Sequence, residues 1–521
     1  MKPKAAAALL ACALLISAAG CSDSGSSSEA ASTVSEAAEP RMLSAPGGTV
    51  ASAAAERLSA EFDLKTLKIL SKTENNQSNP LVTNMFCADP TAIEYNGRLY
   101  VYGTNDEQQY KIKGDAENTY EKINSLVILS TDDMVNWRYE GKIETKSVAK
   151  WITASWAPSI VSRMEDDGLT HFYLYFSNSG GGVGVLTSTD PVGPWEDPLK
   201  KPFITAGTKG LKGVPIPFDP GACIDDDGVG WLAFGGGEGK SEYQPGVARI
   251  VRLGSDMLSF DSDFIQVDCP YFFEASELNF IGGQYVYTFN TSWKERKEWD
   301  SSLSVKAPPI CSMAYMKTAT PLEAGSWEYQ DYYLKNPGEL GMNYGNNHTH
   351  LQKFGDKYYL FFHAAILNKA RGIQSGYRSI CVAEAQVDEE NAVISNCKAS
   401  KTGVPQLKAL DPFLVHEAEE CFLTNCEYGD EIGAIYAKCD SSKLIAVKGA
   451  AMDGCKSFAA RVRGKGTVEV RTGDQNGEKL TAVTFDCSDW TVMTADASAS
   501  GEQDLFFVFD GDFDLDSWQF S

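Results

Sequence analysis

The sequence predicts an all-β chain with a five-bladed β-propeller at its centre. From Asn79 onward, short alternating apolar and aromatic runs are separated by Gly and Asp turns, which is typical of β-strands. A Gly turn leading into an aromatic strand recurs in five units, each of roughly 55 to 75 residues and about four strands. Repeated four-stranded units indicate blades around a central channel, with an array of β-sandwiches as the alternative.

Three features keep a fixed order in these units, which favours blades. The Gly turns lie in YNGRLYVYGT, DDGLTHFYLYFSNS, DDDGVGWLAFGGG, IGGQYVYTFN and FGDKYYLFFHA. Four of them are followed by a polar turn that closes on an aromatic: STDDMVNW, TSTDPVGPW, LGSDMLSF and TATPLEAGSW. All five are preceded by a short strand, expected to be innermost in its blade: CADPTAI, SWAPSIV, FDPGACI, FEASELNF and NNHTHLQKF.

The N-terminus is typical of an export signal. Lys2 and Lys4 precede an apolar run that ends at Ala19 and is too short to span a bilayer. Small residues before Cys21 and a Ser-rich stretch after it resemble a bacterial lipoprotein site, although Ala18 replaces the usual Leu. We expect residues 1–21 to be this signal and Cys21 to carry a lipid anchor, the only membrane attachment; otherwise the protein is secreted.

Composition sets the remaining boundaries. Residues 22–78 read as a linker and N-terminal extension, with a helix over 49–70; the propeller spans 79–405, and a domain of different character follows at 411–521.

The net charge of −24 argues against nucleic acid and anionic membranes as partners, but not against neutral sugars. Of thirteen cysteines, eleven lie beyond the signal, so not all can pair; Cys421 and Cys426 are either bridged or buried thiols.

The first residues of the innermost strands should ring one end of the channel. They are Asp89, Trp156, Asp219, Glu274 and His348. Glycoside hydrolysis requires two carboxyl groups on either side of a sugar, and Glu274 follows two phenylalanines that would raise its pKa and make it a proton donor. Trp156 offers a flat face for a sugar, and His348 a ligand or a hydrogen-bond partner.

Each of these residues has a plainer interpretation. An Asp before Pro often only caps a turn, which applies to Asp89 and Asp219. His348 and His350 lie two apart, as zinc ligands on one face would, but no third ligand is near them in sequence, and hydrogen-bonded interior histidines are the alternative.

Motifs in a fixed order give the chain a family resemblance. ADPTAIEYNGRLYVYGTND, ASWAPSIV, GPW, FDPGACIDDDG, FFEAS, GNNHTHLQKFGDKYYLFFH and YRSICVAEA resemble glycoside hydrolase family 43 over roughly residues 79 to 395, and most closely its arabinoxylan arabinofuranohydrolases. The resemblance implies that Asp89 is the general base, Asp219 positions and tunes the acid, and Glu274 is the general acid of an inverting hydrolase. It also places His348 near an axial calcium ion and Arg378 at the substrate pocket.

One segment departs from the family pattern. After FEAS, relatives carry Met, His and Lys where this chain has ELNF. Glu277 is therefore a second carboxylate on the segment, and three residues of regular strand would turn it to the face opposite Glu274. The change affects the outer subsite and with it substrate preference.

Residues 411–521 resemble a carbohydrate-binding module of family 6, a β-sandwich of the jelly-roll type. The resemblance is carried by VHEAEECF, GCKSFAARVRGKGTVEVRTGDQNGEKL, DLFFVFDG and FDLDSWQF. It implies structural calcium bound by Glu417, Glu419 and Asp516, and sugar stacking on Tyr436 and Trp490. Asp514 stands where relatives offer Asn, so loss of sugar binding is the alternative.

The hypothesis is a monomeric extracellular hydrolase that removes α-L-arabinofuranosyl side chains from arabinoxylan without a catalytic cofactor. A β-D-xylosidase or an arabinan-degrading enzyme of the same family is one alternative. A cell-surface glycan-binding lipoprotein without activity is the other, although three uncompensated acids in one pocket argue against it.

Overall fold

The computed structural model describes residues 71–72, 77–237, 239–431 and 434–521, and the backbone of residues 51–52. The predicted signal, Cys21 and most of the 22–78 extension lie outside these residues. Where the sequence predicts a helix over 49–70, the two described residues form a strand, β1 (Ala51–Ser52), because Met493 and Thr494 at a sheet edge offer them backbone partners. In the described part of the chain, no helix is long and apolar enough to cross a membrane.

Five antiparallel sheets follow one another along the chain and confirm the five-bladed propeller. Their strands, blade by blade, are β2 (Ala88–Tyr95), β3 (Arg98–Thr104), β4 (Leu126–Thr131) and β5 (Trp137–Ile143); β6 (Trp156–Met164), β7 (Thr170–Ser177) and β8 (Val183–Ser188); β9 (Gly221–Ile224), β10 (Gly230–Phe234), β11 (Ala248–Arg252) and β12 (Ile265–Val267); β13 (Phe272–Ile281), β14 (Gln284–Thr291), β15 (Met313–Thr318) and β16 (Glu328–Leu334); and β17 (Thr349–Phe354), β18 (Lys357–Ala364) and β19 (Ser379–Ala385).

The repeated Gly turns join the first and second strands of the blades. Tyr95 pairs with Arg98 across Asn96–Gly97, and Ile281 pairs with Gln284 across Gly282–Gly283. Both residues of each turn have positive φ, from 53° to 75°. Such two-residue turns match the twist of the strands that they join, and Asn and Gly tolerate the conformation.

Blades 2 and 5 have three-stranded sheets, whereas the sequence predicts about four strands in each blade. In blade 2, the segment after β8 carries Pro191, Pro194, Pro198 and Pro202 and forms only isolated bridges, because proline cannot donate to a ladder. In blade 5, residues before blade 1 lie along β19 instead: Leu81 N–H donates to Ile380 O, and Asn79 bonds to the backbone of Val382. This segment closes the ring of blades.

Short helices lie between the strands. They are α1 (Asp106–Lys113), α2 (Thr145–Val148), α3 (Ile366–Arg371) and two 3₁₀ turns, Ser179–Gly181 and Pro337–Leu340. The side chain of Asn105 caps α1 by accepting the N–H of Gln108, so the helix begins at Asp106, directly after β3. A hairpin, β20 (Val387–Asp388) and β21 (Val393–Ile394), follows the last blade.

The C-terminal strands form one curled nine-stranded sheet that includes β1. They are β22 (His416–Glu417), β24 (Leu423–Thr424), β25 (Glu427–Glu431), β26 (Ala434–Cys439), β27 (Leu444–Ala451), β28 (Ser457–Thr472), β29 (Lys479–Asp496) and β30 (Glu502–Phe520). The sheet curls over an apolar core that contains Phe458, Phe507 and Trp518. Cys421 and Cys426 are buried free thiols, without a bridge.

A strand from the C-terminal part of the chain completes a sheet of the propeller. β23 (Glu420–Cys421) belongs to the C-terminal part of the chain but pairs with β5 and adds a fifth strand to blade 1. Glu420 Oε1 accepts a hydrogen bond from Arg98 Nη2 at 3.0 Å, and Lys72 Nζ donates to Phe422 O at 2.6 Å. The junction is therefore made of backbone pairing and buried polar contacts as well as apolar packing.

Candidate active site

Four blades begin with the same unusual backbone. Asp89, Ala157, Asp219 and Ala275 have φ values of 49°, 37°, 48° and 57°. Residues other than glycine rarely adopt this left-handed region, and holding it costs on the order of 1 to 3 kcal/mol each. Strand pairing shifts register at this point in β2, β6 and β13. Contacts elsewhere must stabilise these four positions.

These contacts are hydrogen bonds from the four backbone N–H groups to side chains. The acceptors are His363 Nδ1 for Asp89 (3.1 Å), Thr104 Oγ1 for Ala157 (2.8 Å), Ser177 Oγ for Asp219 (2.8 Å) and Asp219 Oδ2 for Ala275 (2.8 Å). The first three acceptors lie at the end of the second strand of the preceding blade. Blade 3 ends that strand with Phe234, which has no acceptor, and the carboxylate of Asp219 takes this role.

Asp89 carries a strong donor on each carboxylate oxygen. Arg378 Nη1 donates to Oδ1 at 2.7 Å, and Thr104 Oγ1 donates to Oδ2 at 2.7 Å. Burial alone raises the pKa of a carboxyl, but the guanidinium of Arg378 outweighs it and holds the pKa of Asp89 well below its ordinary value. Asp89 is therefore ionised at neutral pH.

Arg378 is clamped between two carboxylates. Besides Asp89, it binds Asp106 through Nε (3.0 Å) and Nη2 (2.8 Å), and its guanidinium lies 4.8 Å from the centre of the Tyr120 ring. Asp106 is fully buried and Arg378 is only 5% exposed. Bidentate pairing of this kind fixes the orientation of the guanidinium. The main contacts of Arg378 are thus with the acids rather than with the open pocket.

Trp156 stands beside this clamp. Its Nε1 donates to Tyr120 O at 3.1 Å, and the two rings meet edge to face at 5.9 Å. Trp156 is half-buried, so part of its indole remains available for stacking on a sugar. Tyr120 joins Trp156 to Arg378.

Asp219 and Glu274 contrast with Asp89, because their pKa values are raised rather than lowered. Among the described residues, none donates a hydrogen bond to the carboxyl of Glu274. Burial, with repulsion from Asp219 and Asp89, raises the pKa of Glu274; burial and Asp89 raise the pKa of Asp219. Glu274 therefore keeps its proton in a pH range where Asp89 has lost its own. Such a pair can act as acid and base in one pocket.

Glu277 does not lie where a regular strand would put it. It is 1% exposed in the channel, with Oε1 at 3.0 Å from His350 Nδ1, and a Cβ on Gly221 would lie 2.4 Å from its Cα. The expectation of an opposite face is wrong because β13 is irregular around Ala275, where the backbone is left-handed and the register shifts. Glu277 thus contributes to the channel rather than to an outer subsite.

His348 also faces the channel. Its Nδ1 lies 3.6 Å from Asp89 Oδ1, and burial lowers its pKa to about 4 despite that carboxylate. Within the described ranges, no group of three or more His, Cys, Asp or Glu side chains is placed to hold a metal, so His348 and His350 form no zinc centre. Asn347 Oδ1 and Glu277 Oε2 are nevertheless buried oxygens without a hydrogen-bond partner, of the kind that calcium prefers.

The two aromatic residues predicted to bind sugar in the C-terminal domain lie together. Tyr436 and Trp490 meet edge to face at 5.5 Å, and the Arg463 guanidinium covers both rings at 5.4 and 4.5 Å. Asp514 and Glu431 hold Arg463 in place. A sugar that stacks on these rings would have to displace Arg463.

The predicted calcium ligands of that domain are also neighbours. Burial, with repulsion from Glu417 and Asp516, raises the pKa of Glu419, and Glu419 Oε2 has no hydrogen-bond partner. Arg461 binds Asp516 at 2.8 Å, and Arg138 of the propeller lies 3.9 Å from Glu417. Carboxylate oxygens are ligands that calcium prefers, but these three described side chains are not grouped to hold a metal, and the two arginines already supply part of the positive charge.

Sequence reasoning missed the residues that hold the acids. Asp106, Thr104, Ser177 and His363 lie at the ends of second strands or directly after one, and Tyr120 lies in a loop. A signal was present in the repeats, because a polar residue closes the aromatic run in blades 1, 2 and 5.

Comparisons with known proteins give the family of the chain. The family model of glycosyl hydrolases family 43 matches residues 77–293. The arabinoxylan arabinofuranohydrolase of Bacillus subtilis is 34% identical over 486 residues (85% of this chain, 92% of that protein), and the one of Paenibacillus polymyxa is 32% identical over 501 residues (87% and 75%).

A solved structure matches both domains. It is the glycoside hydrolase family 43 arabinoxylan arabinofuranohydrolase of Bacillus subtilis in complex with cellotetraose, with a TM-score of 0.80 and 32% identity over 88% of this chain and 99% of that one. Identity of this level over nearly the full length of a relative, together with the three acids in one pocket, identifies the family. The chain belongs to the glycosyl hydrolases of family 43.

Proposed function

We propose that this chain is an extracellular inverting hydrolase that releases α-L-arabinofuranosyl side chains from arabinoxylan. The observation that carries the proposal is that the surroundings of two neighbouring acids shift their pKa values in opposite directions: Arg378 lowers the pKa of Asp89, whereas burial and like-charged neighbours raise the pKa of Glu274. An inverting glycosidase needs one carboxylate to accept a proton from water and one carboxylic acid to protonate the leaving oxygen.

In this proposal each acid has one task. Glu274 gives its proton to the glycosidic oxygen as the bond to the arabinosyl carbon breaks. Asp89 accepts a proton from the water that attacks the opposite face of the sugar. Asp219 accepts the N–H of Ala275, next in sequence to Glu274, so it fixes the acid's backbone while its charge raises the acid's pKa. We expect the carboxyls of Asp89 and Glu274 to be about 6.5 to 9.5 Å apart in the substrate complex, leaving room for the water.

The relatives support arabinoxylan as the substrate. Two proteins named arabinoxylan arabinofuranohydrolases match most of this chain, and their identity to it is above that of the more distant xylosidase/arabinosidase of Thermoclostridium stercorarium, at 24%. The half-buried Trp156 next to the clamp gives the sugar a face on which to stack.

The remaining parts of the proposal concern the whole chain. It is exported, with Cys21 as the lipid anchor or as part of a free secreted protein, and acts as a monomer. Residues 411–521 are a module related to family 6 carbohydrate-binding modules, with structural calcium held by Glu417, Glu419 and Asp516. Calcium in the propeller channel would be held by Asn347 Oδ1 beside His348, where it would neutralise charge; no chemical step uses it.

Proton NMR of released sugars tests the function. The purified chain is incubated with wheat arabinoxylan, linear arabinan and xylo-oligosaccharides. Arabinose released from arabinoxylan, appearing first as the β-anomer, is the expected result. Release of xylose would favour a β-D-xylosidase, release from arabinan alone an arabinan-degrading enzyme, and binding without release a glycan-binding protein.

The charge on Asp219 should show in the pH profile. Asp219→Asn removes a negative neighbour, so the pKa of Glu274 falls and the alkaline limb of kcat/KM moves to lower pH. The measurement is kcat/KM against pH for both proteins on an aryl α-L-arabinofuranoside. An alkaline limb that stays in place would show that Asp219 does not contribute to the raised pKa of Glu274.

A further inference from the structure

We infer that Thr104 is a positioning residue that aims Oδ2 of Asp89 at the attacking water, so that Oδ2 rather than Oδ1 receives the water's proton. The inference rests on the proposed function, because it takes Asp89 as the base. Thr104 is the last residue of β3 and is fully buried. It therefore acts through Asp89, to which its hydroxyl donates.

The surroundings of the Thr104 hydroxyl fix the direction of its single proton. Oγ1 accepts the N–H of Ala157 at 2.8 Å, and Asp89 Oδ2 lies 2.7 Å from it. A hydroxyl has one proton and two acceptor sites. With one acceptor site taken by the backbone, the proton is directed to Oδ2, and the carboxylate is held in one rotation.

Oδ1 is poorly placed to accept a further proton. Arg378 Nη1 donates to it at 2.7 Å, and ring nitrogens of His363 and His348 lie at 3.2 and 3.6 Å. His363 Nδ1 accepts the N–H of Asp89 and its Nε2 donates to Asn346 O at 2.9 Å, so Nδ1 has no proton for Oδ1. The two rings therefore crowd Oδ1.

Oδ2 keeps an open acceptor site. Each carboxylate oxygen has about two such sites, and Thr104 is the one described residue that donates to Oδ2. The water's O–H bond breaks toward Oδ2 while its oxygen bonds to the arabinosyl carbon. The leaving oxygen takes the proton of Glu274, so one acid gains the proton that the other loses, and exchange with solvent restores both.

The test compares Thr104→Val with Thr104→Ser on 4-nitrophenyl α-L-arabinofuranoside. Val keeps the shape but has no hydroxyl, and we expect kcat to fall on the order of ten- to a hundredfold with KM nearly unchanged. Ser keeps the hydroxyl, and we expect kcat close to that of the original protein. Thr104→Ala should lose as much as Val and serves if Val fails to fold.

Thr131→Val is the matched control. Thr131 is equally buried, ends β4 at the other end of blade 1 and donates to Asn136 O at 2.7 Å. The Val substitution there therefore removes comparable hydrogen bonds far from the acids. We expect it to keep its kcat even if its melting temperature falls.

Three outcomes would overturn the inference. A kcat within twofold of the original in Val or Ala would show that Asp89 needs no such donor. Equal loss in Ser and Val would mean that the methyl group matters instead. A rise in KM with kcat unchanged would mean that Thr104 only holds the backbone of Ala157 and thereby positions Trp156. If the unaltered protein hydrolyses neither arabinoxylan nor 4-nitrophenyl α-L-arabinofuranoside, the proposed function is wrong, and the role of Thr104 is not what failed.

Discussion

Replacing Glu274 with Gln is expected to lower kcat on arabinoxylan about a thousandfold while leaving the fold intact. Gln has nearly the same shape but cannot give a proton to the leaving oxygen. Glu274 forms no hydrogen bond with any described side chain, so its replacement breaks no internal contact. Initial rates on arabinoxylan and melting temperatures of both proteins are the measurements.

The leaving group distinguishes loss of the acid from general damage. A 2,4-dinitrophenyl arabinofuranoside leaves without protonation, so its hydrolysis by Glu274→Gln should fall much less than that of arabinoxylan. Glu328→Gln, on the exposed outer strand of the same blade, is the control and should retain full activity. Equal losses on both substrates would contradict the role of Glu274 as acid.

Replacing Arg378 with Met is expected to affect both stability and activity. Arg378 is the cation between Asp89 and the fully buried Asp106, and its removal leaves two buried carboxylates without it. Breaking a buried pair in this way costs about 3 to 5 kcal/mol of unfolding free energy. Denaturant unfolding at neutral pH measures the loss.

The same substitution should move the acid limb of the pH profile. Arg378 favours the ionised form of Asp89, so its loss raises the pKa of Asp89, and the base becomes protonated at a higher pH than before. Arg371→Met is the control: Arg371 lies at the end of α3, pairs with Glu107 at 3.3 Å and has no contact with Asp89. An unshifted acid limb in Arg378→Met would show that Arg378 does not hold the pKa of Asp89 down.

The repeats predicted that Asp89, Asp219 and Glu274 would lie near one another, because aligned blades place corresponding residues at one end of the channel. Asp89 and Asp219 share that position, and Glu274 lies one residue before it, next to Ala275. Glu277 was misplaced because a bulge changes which face a residue occupies, and the strand period cannot reveal a bulge. The Asp106–Arg378 clamp joins residues 272 apart, which no local pattern can show.

The arginine that covers the aromatic pair of the C-terminal domain could not be predicted from the sequence for another reason. Tyr436 and Trp490 lie together, but Arg463, which covers both rings, lies on a different strand, β28. Which of two neighbouring groups occupies a stacking face depends on ion pairs such as Arg463 with Asp514 and Glu431, and these form only in the folded sheet.

Because β23 forms the outermost strand of blade 1, these domains cannot be recombined freely with others. A protein truncated before residue 411 would expose the outer edge of β5, with unpaired backbone groups ready to pair with another molecule, and would deprive Arg98 of Glu420. The same holds for a chimaera with a foreign module. The propeller and the C-terminal domain follow each other in sequence, yet one propeller sheet is completed by a strand from the C-terminal part, so a new partner domain would have to supply a substitute edge strand.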